Sequence, residues 1–106
     1  MVDHIWAEHM GGVKADLARR IGAIEWRAGP ARFGGDVDAI RAIAARHQML
    51  PALAVAHSLE RALARGACGT AVHGWLSLLS DAVTCDRQDV AARDAFAAMC
   101  ATRFAG

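Results

Sequence analysis

Residues 50–83 read LPALAVAHSLERALARG, then the break ACG at 67–69, then TAVHGWLSLLSDAV. Placed on a helix at about 100° per residue, the first half has one apolar side. Centred on Leu59, it gathers Ala52, Val55, Ala56, Ala62, Leu63 and Gly66 within roughly 60°. His57 and Arg61 fall opposite, flanked by Glu60 and Arg65. A single stripe with a charged back is the pattern of a helix lying on a core. Pro51 suits the first turn, where no amide donor is needed, and Gly66 suits the left-handed position past the end. In the second half Thr70 reads as an N-cap, and Val72, Trp75, Leu76, Leu79 and Val83 form the stripe. Leu78 lies on the other side, near Gly74 and Asp81. Apolar groups on two sides put this helix at the centre of a bundle or against a second chain. The two segments together predict a helical hairpin.

The segments before the hairpin are helical as well. Trp6, Met10, Val13, Leu17, Ile21 and Ile24 recur at steps of three and four, so a helix is expected over about 3–27, with Asp3 as its cap. Gly11-Gly12 interrupts it at a cost of about 1 kcal/mol per glycine. An unbroken helix of that span would be nearly 40 Å long, so a break, a bend or a protruding end is expected near Gly11. Trp26 lies off the stripe and needs either the following loop or a partner to cover it. Residues 28–35, AGPARFGG, read as loop. Asp36 then caps a helix over 36–48 whose inner side holds Val37, Ile40, Ile43, Ala44 and His47. Leu50 precedes Pro51, which leaves a turn and a kinked continuous helix both open. At the end, Asp86 with Asp89 resembles a capping box for a helix over 87–103, with Ala92, Phe96, Met99 and Cys100 inward.

The expected fold is therefore all-α. A single domain over 1–106 holds four to five helices, with segments 51–65 and 70–84 as the hairpin, arranged up-and-down or orthogonally. Its 106 residues, 55% hydrophobic and rich in alanine, can enclose a core without staples. Net charge is +1, so no global field attracts nucleic acid or membrane. No apolar run is long enough to cross a bilayer, and MVDHIW does not open a secretory signal. The three cysteines are odd in number and lack CxxC spacing. They read as reduced core thiols, and the location as cytoplasmic.

Chemistry is sparsely signalled. His4, Glu8 and His9 lack the shared face of HExxH, His47 and His73 border apolar stripes, and no metal or cofactor is expected. No nucleophile elbow, phosphate loop or isolated acid pair points to catalysis. The run Ala56-His57-Ser58-Leu59 resembles the start of AHxLKG, the phosphoacceptor motif of histidine-phosphotransfer domains. That likeness implies a helical bundle with His57 as phosphoacceptor and Arg61 as its electrostatic support. Glu60 and Arg61 stand where the motif has lysine and glycine, and a carboxylate beside a phosphoimidazole repels it. Residues 15–22, ADLARRIG, are similar to the first helix and turn of helix-turn-helix DNA binders. The following Ala23-to-Ala28 stretch is too short to read many bases, so nucleic acid is not the expected partner. The sequence assigns no activity. The reading it favours is a small interaction or regulatory module, homodimeric or bound to a protein partner, with Trp26 and Leu78 at the interface.

Overall fold

The structure is a computed structural model. It describes the backbone of residues 2–28 and 30–103 and the side chains of 10–28 and 33–102. Within these the chain is all-α: α1 (Val2–Gly22), a 3-10 turn (Trp26–Ala28), α2 (Pro30–Arg46), α3 (Leu50–Ala64), α4 (Thr70–Thr84) and α5 (Val90–Arg103). The molecule is elongated, with extents of 46 × 26 × 17 Å.

Helix α3 organises the rest. It touches α2, α4 and α5, and its contact with α5 is the most extensive in the molecule. Its expected stripe is buried at Ala52, Val55, Ala56, Leu59 and Ala62, with Leu63 half-buried. Both hairpin helices begin and end within one residue of the expected bounds. Gly66 takes the left-handed conformation (φ 97°). Its amide donates to the Leu63 carbonyl, and the Ala67 amide donates back to Ala62 at 2.9 Å. This is a Schellman ending, which satisfies carbonyls that the helix leaves open. The cap of α4, however, is Gly69 at φ 62°, ψ −133°, a conformation open to glycine, and not Thr70.

Helix α4 lies between α1 and α3. Its two apolar sides are thereby both covered within one chain, and Leu78 is 2% exposed. Of the two readings for this helix, the structure has it central in the bundle. Lys14 of α1 closes its far end, donating from Nζ to the Cys85 carbonyl at 2.8 Å, and Gln88 Nε2 donates to the same oxygen. A cation at a helix C-terminus opposes the negative end of the dipole.

Further expectations need correction: Asp3 lies within α1 and does not cap it, and Met99, expected inward, is 40% exposed. Three others concern the bounds of helices. First, α1 is unbroken through Gly11-Gly12 and ends at Gly22. Met10 and Leu17 are buried and Val13 half-buried along one side, and that packing outweighs the glycine cost. The 23–27 segment is not α-helical, and Trp26 opens the separate 3-10 turn. Second, residues 30–35 are not loop. α2 begins at Pro30, runs through Gly34-Gly35, and buries Phe33 to 1% exposure. Pro30 suits a first helical position. Burying a phenylalanine is worth about 2–3 kcal/mol, more than the roughly 1 kcal/mol each glycine costs. Third, α5 begins at Val90, and its cap is Asp89, whose Oδ1 accepts from the Ala92 amide at 2.9 Å. Asp86 lies outside the helix.

Between α2 and α3 the open choice at Pro51 resolves as a turn. Gln48 adopts φ 54°, its amide donates to Ala45, and the Met49 amide donates to Ala44 at 2.9 Å. This is a second Schellman ending, made without glycine. Met49 is fully buried and anchors the turn, and Pro51 falls in the first turn of α3.

Candidate functional site

With α2, α4 and α5 around it, α3 has one uncovered strip. His57 and Arg61 lie on it, one turn apart and both exposed. Glu60 turns the other way, toward α2, where Arg41 Nε comes within 2.7 Å of its Oε1. That oxygen is buried and receives no well-aligned hydrogen bond, so the pair is held by charge. Arg41 also bonds Asp38 on its own helix, and the two carboxylates raise the guanidinium pKa further, Asp38 the more strongly.

Beside this strip the structure opens a trough of about 850 Å³ between α3, α5 and the first turn of α4. One wall carries Ser58, Arg61 and Arg65 of α3, the other Ala97 and Ala101 of α5. Trp75, Ala62 and Cys100 form the floor. The mouth is wide: Arg61, Arg65, Ala71, Ala97 and Ala101 are all exposed, whereas Trp75 shows 5% of its surface. α5 shapes this opening because it contributes a narrow buried stripe of Ala92, Phe96 and Cys100. On the trough side its positions are the alanines Ala97 and Ala101, which carry only methyl groups. Burial pushes the Cys100 thiol up, partly opposed by its bond to Ser58 and the charge of Arg61. At neutral pH it is a thiol, not a nucleophilic thiolate.

Trp26 is half-buried. His73 of α4 stacks on it, ring centroids 4.7 Å apart, and the Arg27 guanidinium lies 4.6 Å from its ring centre. Part of this indole is thus covered by His73 of α4 and by its neighbour Arg27, and not by the loop expected after it. Leu78, the other residue expected at an interface, is 2% exposed in the single chain. In the ADLARRIG segment Arg19 and Arg20 both pair with Asp16, which lowers the Asp16 pKa through those hydrogen bonds, Arg20 first. A second, smaller opening of about 490 Å³ lies between α1 and α2, lined by Val13, Asp16, Arg20, Ile43, Arg46 and His47.

The side chains of His4, Glu8 and His9 lie outside the described residues. Among the described residues no three His, Cys, Asp or Glu side chains are placed to hold a metal ion, and no helix is long and apolar enough to cross a membrane. The trough itself was not foreseen. Arg61 and Arg65 are visible in the sequence as charges one turn apart, but the gap beside them depends on how α5 crosses α3. The chain matches no protein-family model, no curated protein and no solved structure.

Proposed function

We propose that the chain is a helical interaction module that docks a protein segment, from a partner or a second copy, in the trough between α3 and α5. The observation that carries this reading is the trough itself: about 850 Å³ of open space with an apolar floor, between two helices of one small bundle. An opening this wide is poorly suited to a small molecule, which protein sites bury almost completely. A segment laid between two helices is a recurrent mode of peptide recognition. Trp75 and the alanine wall supply apolar contact, and alanine lets a backbone approach closely.

The test is selection of displayed random dodecapeptides on the full chain, compared with Ala97→Trp, which fills the trough from its exposed wall. Peptides retained by the parent and lost by the variant support the reading. So does a dimer, seen by light scattering at micromolar concentration, that Ala97→Trp disperses. A monomer whose selected peptides ignore the substitution, or that selects none, overturns it.

A second reading has its own observation. His57 stands on the uncovered strip of α3 with Arg61 one turn on, and Glu60 is drawn off toward Arg41. The carboxylate that would repel a phosphoimidazole is thus engaged elsewhere. In that reading the bond from phosphorus to a partner's aspartyl oxygen breaks and a bond to an imidazole nitrogen forms. The aspartate leaves as carboxylate, and the imidazole proton passes to solvent. Incubation with a phosphorylated response regulator then yields acid-labile phosphate on the parent and none on His57→Gln. Equal labelling of the two removes His57 as acceptor.

A further inference from the structure

The arginines of the described chain divide into those already engaged and those left open. Arg19, Arg20, Arg41, Arg87 and Arg93 each have a carboxylate oxygen within salt-bridge distance, and Arg27 lies against Trp26. Arg46, Arg61 and Arg65 have no such partner among the described residues, and of these Arg61 and Arg65 stand one turn apart on the same wall of the trough. Among the described residues no acid lines that trough, and Glu60, the nearest acid in sequence, faces α2. Two neighbouring guanidinium groups on one helix repel each other slightly. A carboxylate between them removes that repulsion and gains charge-assisted hydrogen bonds.

We propose that the trough takes an acidic peptide segment of a partner protein, with carboxylates on Arg61 and Arg65 and one apolar side chain on the Trp75–Ala62 floor. This rests on the docking reading above and adds the chemistry of the occupant. The wall from Ser58 to Arg65 covers about 10 Å of helix, the reach of about three extended residues. Such a segment has room for a carboxylate at each end and an apolar side chain between. Nucleic acid fits less well: net charge is +1, and the described lining of the trough holds no exposed aromatic ring for a base to stack on.

The displayed library serves again, now scored for composition. Peptides that depend on the open trough are expected to be rich in Asp and Glu around one bulky apolar residue. A recovered peptide, fluorescein-labelled and titrated into the full chain, is expected to bind about tenfold more weakly to Arg61→Gln and to Arg65→Gln. Its Glu→Gln analogue should lose a similar factor, and added salt should weaken it further. Arg46→Gln, which alters an arginine outside the trough, should bind as the parent does. All three arginines are exposed, so each variant is expected to keep its helices, which circular dichroism checks. Neutral or basic peptides that are still lost by Ala97→Trp would overturn the acidic assignment and leave the docking reading standing. Peptides indifferent to Ala97→Trp would overturn both. Oligothymidylate competing as well as the acidic peptide would replace the assignment with nucleic acid.

Discussion

Single residues fix where the helices stop, and several do so with side chains that are not the best available. Gln48 holds a left-handed conformation at φ 54°, a region that costs a side-chain-bearing residue roughly 1–2 kcal/mol. Gln48→Gly is therefore expected to stabilise the fold by up to about 1 kcal/mol, read as a higher urea midpoint at an unchanged slope. Asp89 acts in the opposite sense. Its carboxylate accepts from the Ala92 amide and pairs with Arg87, and these two contacts, the amide first, hold its pKa below the ordinary value. Asp89→Ala should lower stability by removing the helix cap, read as a lower urea midpoint. Because the folded pKa is depressed, this contribution is fully present above the unfolded carboxylate value of about 4. It is lost as pH falls through the lower folded value. An acid titration of stability should therefore show a smaller loss below pH 4 for Asp89→Ala than for the parent. The Gly66 stop was legible because glycine after an apolar stripe has a direct conformational meaning. The Gln48 stop was not, since nothing in glutamine announces a left-handed turn, and burial of Met49 is what enforces it.

At the scale of elements, the hairpin was legible because its stripes are made of leucine, valine and tryptophan with strict spacing. The glycine pairs misled, because propensity is a local quantity and packing is not. Phe33 stands one turn before Val37 on the same side of α2, and its burial extends the helix back through Gly34-Gly35. Neither glycine has another group within 4 Å of where a Cβ would sit, and both are exposed. Gly34→Ala with Gly35→Ala should therefore stabilise by about 1–2 kcal/mol in total, measured by denaturant unfolding. A loss of stability would mean that this segment is not helical. The capping of α5 went astray by one turn for a similar reason. Asp86 and Asp89 are equivalent as letters, and the packing of Ala92 and Phe96 on α3 decides which of them caps.

For the whole molecule, the arrangement of helices around α3 determines which groups meet solvent. The three thiols report this independently: Cys68 is exposed, Cys85 half-buried and Cys100 buried. A maleimide reagent should therefore modify Cys68 first and Cys100 last, with Cys100 slowed further by its raised pKa. The trough belongs to this scale too. Its arginines were readable one by one, but its existence follows from how α5 lies on α3 beside the first turn of α4. Sequence periodicity states which side of a helix is inward, not which neighbour fails to cover it. Amide hydrogen exchange on the free chain tests the central arrangement most directly. The account predicts that amides from Val55 to Ala62 in α3 exchange slowest of all, because three helices cover them, and that α5 exchanges faster on its Ala97–Ala101 side. Exchange in α3 as fast as at the exposed helix ends would contradict it.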